Sequence, residues 1–365
     1  MNKKQHEPLF HITKRAPMSW RKALLVRILA ILAALVICAI LTMAVSGYNP
    51  IKVYGAMFQG AFGSSRKIWI TLQKTAILLI IALALTPAFK MKFWNIGGEG
   101  QVLMGALGAA ACMETLSGKV PNAVCIILMV AVSLVAGAIW GLIPALLKAK
   151  WNTNETLATL MMNYIATQLV AYFVVVWESP KGSGKIGVIN QNTQFGWLPE
   201  IGNRYLLCVI LAVAAAIGMH IYLWYSKQGY EISVVGESVN TARYVGIKVE
   251  KVIIRTMLIS GALCGLAGLL LAGGINHSLS IDAAGGQGFT AVLVSWLAKF
   301  NPFTMILASL LIIFMSRGSA QIASDIGLNE SYSDIMTGII LFCLIGCEFF
   351  ITYRISFRKK AGKEA

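Results

Sequence analysis

The feature that most constrains this chain is a series of apolar runs, each about twenty residues long and close to what a helix needs to cross a ~30 Å hydrocarbon core. They lie at Ala23–Ser46, Ile68–Phe89, Asn95–Leu116, Asn122–Leu147, Thr156–Trp177, Tyr205–Tyr225, Thr256–Ile275, His277–Ala298, Pro302–Ser316 and Ser333–Tyr353. Read together they predict an all-α, polytopic transmembrane helical bundle of about ten spans. The eighth run, rich in glycine and polar residues, and the short ninth fit a full span least well. Tyr48–Ser65 reads as an amphipathic piece along the outer interface. Composition agrees: 57% of residues are hydrophobic and 13% charged, against ~25% charged in soluble domains. A water-facing shell of ordinary polarity cannot be made from this chain.

A net charge of +16 would suit a nucleic-acid partner, but its distribution excludes that class. With the N-terminus inside and ten crossings, roughly two-thirds of the 31 lysines and arginines fall on the cytoplasmic side, as the positive-inside rule requires. The expected organisation is a cytoplasmic basic tail at 1–22, a membrane domain at 23–353 with a cytoplasmic loop at 226–255, and a second basic tail at 354–365. Both termini are therefore expected in the cytoplasm and Glu178–Arg204 outside, in a multi-pass cell-membrane protein. The first run is too long for the apolar core of a signal peptide, so it reads as an uncleaved span. All seven cysteines lie inside apolar runs without zinc or redox spacing. They read as small packing residues.

Polar, glycine-rich interruptions inside a membrane domain must line a cavity or pack against protein. Two stand out: Asn95-Ile96-Gly97-Gly98-Glu99-Gly100-Gln101, and Asp282-Ala283-Ala284-Gly285-Gly286-Gln287-Gly288. Each opens a span, and the two spans run in opposite directions, the pattern of a transport pathway between inverted repeats. Such glycines also serve close helix packing, as do Gly261, Gly265 and Gly268. Glu99 and Gln101 are expected to face a water-accessible cavity, with Glu99 alternatively tying the broken helix to a neighbour. Ahead of the fifth span, Asn154 or Thr153 suits a helix cap, with Glu155 favourable near the positive helix end; Asn163 lies two turns further in. Lys74 and Glu348 sit within spans and need either buried partners, which the sequence does not identify, or snorkelling to the interface. Gly182-Ser183-Gly184-Lys185 lacks the remaining residues of a phosphate-binding loop, and the four histidines lack metal-ligand spacing.

At Trp94-Asn95-Ile96-Gly97-Gly98-Glu99-Gly100-Gln101 the chain resembles the permeases of bacterial ABC importers of the branched-chain amino acid and simple-sugar type, most of all their nucleoside-uptake branch. Gly47-Tyr48-Asn49-Pro50, Gly60-Ala61-Phe62-Gly63, Asn154-Glu155-Thr156 through Met162-Asn163-Tyr164, Gly236 through Ile247, and Ser260 through Gly268 carry the likeness further. Trp94 departs from the commoner Phe. The resemblance implies a second permease subunit, alike or related, a cytoplasmic ATPase subunit and an extracytoplasmic substrate-binding protein. No nucleotide-binding motif is present, so ATP hydrolysis is expected on the partner, and this chain is expected to need no cofactor and no metal.

Trp94, Asn95, Glu99, Gln101, Asn154, Glu155, Asn163, Asp282, Gln287 and Phe289 are the candidate pathway residues. Their amide and aromatic side chains suit a small, neutral solute that is polar at a ribose and flat at a base. In the 226–255 loop, Gly236 and Gly246 bracket a stretch long enough for two helical turns. Gly236, Glu237, Ser238, Asn240, Ala242, Arg243, Tyr244 and Gly246 are the candidate ATPase-coupling residues, with Ser238 as helix cap and Ala242 small enough for close approach to the partner. The competing reading is an ion-coupled secondary transporter using Glu99, Asp282 or Glu348 as relay groups. An intramembrane enzyme is disfavoured, since no nucleophile–base or metal constellation is visible.

Overall fold

A computed structural model describes residues 10–16, 18–47, 49–327 and 330–357. A short strand, β1 (Phe10–Lys14), precedes helices α1 (Trp20–Ser46), α2 (Pro50–Phe62), α3 (Ser65–Lys90), α4 (Gly98–Leu116), α5 (Asn122–Trp151) and α6 (Glu155–Val176). There follow α7 (Leu206–Tyr225), α8 (Lys227–Glu237), α9 (Val239–Tyr244) and α10 (Val249–Leu269), which is prolonged by a π-helical stretch, Leu270–Asn276. The chain continues through α11 (Gln287–Leu297), α12 (Pro302–Ile326), α13 (Glu330–Thr352) and β2 (Tyr353–Phe357). Apart from the one strand pair the architecture is helical, as expected. The outer parts of both predicted tails, 1–9 and 358–365, lie outside the described residues.

Among the described residues eight helices are long and apolar enough to cross a membrane: α1, α3, α5, α6, α7, α10 with its π extension, α12 and α13. The other two of the ten expected spans are the ones broken by glycine. In the third, helix begins only at Gly98, not Asn95. In the eighth, 277–286 is non-helical and α11 has 11 residues, ~16 Å of rise and about half a hydrocarbon core. Gly285 and Gly286 carry φ of 57° and 74°, which an α-helix does not accommodate. The ninth span is longer than its apolar run: α12 spans 25 residues, because Arg317, Gln321 and Asp325 continue the helix in polar sequence.

The chain divides into two compact units. One comprises 1–67 with 314–365. In it β1 and β2 pair antiparallel, Phe10 opposite Phe357 and Lys14 opposite Tyr353, so the segment leading into α1 and the one leaving α13 lie side by side. α1 packs on α13, where Arg27 Nε donates to Glu348 Oε1 at 2.6 Å. Two charges within apolar helices are thereby paired instead of facing hydrocarbon. α2 buries a stripe of Val53, Met57 and Ala61, spaced at one residue per helical turn. Its Phe62 stacks on Phe314, ring centroids 5.5 Å apart.

The other unit is 68–313. The middle of α3 is buried on every face, from Thr75 to Phe89, so it is enclosed by protein. Helices α4, α5 and α10 pack backbone to backbone through glycine. A Cβ on Gly265 would overlap the Ser133 carbonyl, and one on Gly137 would overlap that of Gly261. Removing the side chain allows dispersion contact and close backbone approach where lipid gives no hydrophobic incentive for association. Gly265→Leu is therefore expected to cost at least the ~1–3 kcal/mol typical of overpacking, with a lowered unfolding temperature of the detergent-purified chain. Gly218→Ala in α7, which would meet nothing within 4 Å, is expected to leave that temperature unchanged or slightly raised.

Candidate substrate pathway and coupling surface

Between α3 and α4 the chain runs non-helical from Phe93 to Gly97, which leaves backbone groups without helical partners inside the bundle. Side chains supply those partners. Asn95, fully buried, accepts from the Gly97 N–H at 3.0 Å through Oδ1 and donates to Ser260 Oγ at 3.2 Å. Asn163 clamps the segment at two points, accepting from the Gly100 N–H at 2.8 Å and donating to the Ile96 carbonyl at 2.9 Å. Thr159 accepts from the Ile96 N–H at 3.3 Å. Asn163 and Thr159 are four apart on α6, so one helix face holds the break. Asn154 positions that helix by capping it, accepting from the Leu157 N–H at 3.1 Å. Glu155 pairs with Lys148 at 3.0 Å.

The two glycine-broken segments meet. Glu99, in the first turn of α4, accepts from the Gly286 N–H at 2.8 Å through Oε1 and from the Gly288 N–H at 2.7 Å through Oε2. Both donors belong to the N-terminal end of α11, where unsatisfied N–H groups and the helix dipole favour an anion. Gly288 must be glycine for this approach, since a Cβ there would lie 2.6 Å from the Glu99 Cα. Of the two roles expected of Glu99, the geometry is that of the tie to a neighbouring helix. Gln101 does not face a water-filled cavity: it is 1% exposed and donates to Asn95 Oδ1 at 3.4 Å. Its Nε2 serves the broken backbone's own scaffold, while its buried Oε1 has no hydrogen-bond partner. Gln287, beside this junction, has an Oε1 without a hydrogen-bond partner.

The exposed members of the candidate set are Trp94, Phe289, Asp282 and the helix cap Asn154. Trp94 stacks on Trp296 with centroids 5.4 Å apart and planes 22° apart, and Phe89 and Phe300 pack around the pair. Trp94 and Trp296 are 45% and 44% exposed. Trp296 was missed in the sequence because only the meeting of α4 and α11 brings it to Trp94. Its i,i+7 spacing from Phe289 along α11 was the available signal.

In the 226–255 loop the sequence predicts a short helix between Gly236 and Gly246, capped by Ser238. The structure has two, α8 and α9, separated at Ser238, whose side chain caps α9 by accepting from the Thr241 N–H at 3.2 Å. The break arises because Ser238 takes an extended conformation, φ −155° and ψ 119°. Glu237, Asn240 and Arg243 are exposed, as are Val239, Tyr244 and Val245 at 43%, 92% and 57%. Ala242, by contrast, is fully buried within this chain; its smallness serves the chain's own packing. Gly246 turns the chain with φ 81°. Gly236 lies so close to the Lys90 carbonyl that a Cβ would overlap it. A cavity of about 240 Å³ beside it is lined by Phe93, Glu155 and Ser238, so the coupling segment abuts the lead-in to the broken segment.

The Gly182–Lys185 turn is accounted for within the chain. Its Gly182 and Gly184 N–H groups both go to the Glu178 carboxylate, at 2.8 and 2.9 Å, and these bonds hold that carboxyl below the usual range.

A bundle of membrane-length helices with two broken ones joined at their N-termini defines a multi-pass membrane transport protein. The chain belongs to the branched-chain amino acid transport system / permease component family, which it matches over residues 68–345. It is 30% identical over 344 residues to the guanosine ABC transporter permease protein NupP of Bacillus subtilis (strain 168), covering 93% of this chain and 97% of that one. It is 29% identical to the nucleoside ABC transporter permease protein NupB of Lactococcus lactis subsp. cremoris (strain MG1363), covering 90% and 92%. A third relative, 28% identical with 90% and 88% covered, is the glucose ABC transporter permease protein TsgB13 of Haloferax volcanii. The chain is thus a permease subunit of an ATP-binding-cassette transporter.

Replacing Glu99 by Leu strands two N–H groups in a region poor in water, at ~1–3 kcal/mol for each unsatisfied group. Glu99→Leu is expected to lower both thermal stability and uptake, whereas Glu99→Gln, which keeps one acceptor, retains folding and much of the uptake. Equal stability of wild type and Glu99→Leu in a detergent melt would contradict this assignment.

Proposed function

We propose that the chain is the membrane-spanning half of an importer for nucleosides, working with a second permease subunit, a cytoplasmic ATPase and an external binding protein that delivers the solute. The observation that carries this reading is the end-to-end similarity to a guanosine permease. The exposed Trp94, Trp296 and Phe289 faces suit a flat base, and no net charge is needed for a neutral solute. The ion-coupled alternative loses ground, since both oxygens of Glu99 are engaged and Glu348 is paired with Arg27.

In this reading α9 seats on the ATPase, with Val239, Tyr244 and Val245 as its apolar contact. Movement there reaches the broken segment through Gly236 and the Lys90–Phe93 backbone. Loop 226–255 and both tails are cytoplasmic and Glu178–Arg204 external, supported by the basic-residue distribution and by the β1–β2 pairing, which demands an even number of crossings.

Three experiments test the proposal. Deleting the chain in its own cell should abolish uptake of radiolabelled guanosine while leaving glucose uptake intact; the reverse result would make the solute a sugar. Tyr244→Glu, at a side chain that touches little of its own chain, should leave abundance unchanged but release the ATPase on co-purification and abolish solute-stimulated ATP hydrolysis. In a cysteine-free background, Asn240→Cys should be labelled by impermeant reagents only after the membrane is opened.

A further inference from the structure

The basic residues beside α9 form more than a solvated fringe. A crevice of about 450 Å³ opens between α8, the turn at Val245–Lys248 and the first turns of α10. Lys227, Lys248, Lys251 and Arg255 line it against a single carboxylate, Glu231. Glu231 is already taken by Arg255 at 3.0 Å. Among the described residues the ammonium groups of the three lysines have no ion-pair or hydrogen-bond partner. Three uncompensated cations held around one concavity repel each other, and an anion placed among them relieves that repulsion.

Its position selects the anion. α7 ends at Tyr225, two residues before Lys227, with Trp224 and Tyr225 exposed by 47% and 78%, the place where aromatic residues mark a membrane–water boundary. On α10, Arg255 is the last charge before an uncharged run from Thr256 to Leu269. The crevice therefore lies at the level where apolar helices give way to the aqueous face, which is headgroup depth. Val245, 57% exposed on its wall, offers an apolar edge to the glycerol and acyl portion. We propose that this crevice binds the phosphate of an anionic phospholipid, placing a lipid headgroup against the turn that joins α9 to α10. The assignment rests on the crevice alone and stands whether or not α9 docks an ATPase.

The test is native mass spectrometry of the full chain in detergent, titrated with phosphatidylglycerol, with phosphatidylcholine, and with inorganic phosphate as a soluble competitor. Phosphatidylglycerol should bind in preference to phosphatidylcholine, and affinity should fall about fivefold for each lysine neutralised. Lys251→Gln alone suffices for the measurement if the Lys227→Gln/Lys248→Gln/Lys251→Gln variant proves unstable, and Lys251→Arg should restore binding. Equal retention of the two lipids, or wild-type binding by Lys251→Gln and the triple variant, would overturn the site. Displacement of the lipid by inorganic phosphate at comparable concentration would make it a soluble-anion site and overturn the lipid assignment. Variants that keep the lipid but lose a co-purifying ATPase would show that the crevice is a protein dock instead.

Discussion

Inside a bilayer a backbone N–H without a partner is costly, and that constraint organises this structure. Two helices begin in the interior of the bundle, α4 at Gly98 and α11 at Gln287. Each leaves N–H groups to be satisfied. Glu99 serves two of them at the end of α11, Asn163 serves one in α4, and Asn95 serves another. The polar residues of the broken segments are thus mutual partners. Breaking a helix leaves the main chain free to bend without unfolding, provided that a carboxylate or an amide on another helix replaces the lost bonds. The junction is therefore a place where rearrangement would cost little secondary structure.

The aromatic group at the same junction follows from the same geometry. Trp94 stands on the lead-in to the break and Trp296 at the far end of α11, so the tie through Glu99 also sets the distance between the two indoles. The α8–α9 segment reaches this arrangement from the other direction, through Gly236 against the Lys90 carbonyl. Both routes end on the same short stretch, Met91 to Gly97.

Local features of the sequence were legible where one residue decides one bond. Ser238 and Asn154 are caps as their side chains predict, and the glycines of α10 serve packing. Both broken segments were visible as glycine clusters. Their meeting was not, because Glu99 and Gly286 are 187 residues apart and nothing local encodes the pairing. Arg27 with Glu348 is hidden for the same reason. Gln101 misled because an amide in an apolar run looks the same whether it awaits a solute or supports a loop. Ala242 misled because smallness suits close approach to a partner and burial in the chain itself equally well. Span lengths erred where charge occurs within a helix, as at Arg317, or where polarity stops one, as at Asp282.

The Glu99 carboxylate holds the start of α11, and amide exchange reports on those bonds directly. Hydrogen–deuterium exchange of the peptide covering 282–290 should be slow in the wild-type chain and markedly faster in Glu99→Leu, with peptides from α5 and α7 unchanged. The same exchange rate in both proteins would mean that the Gly286 and Gly288 N–H groups do not depend on Glu99, and the proposed junction would not exist.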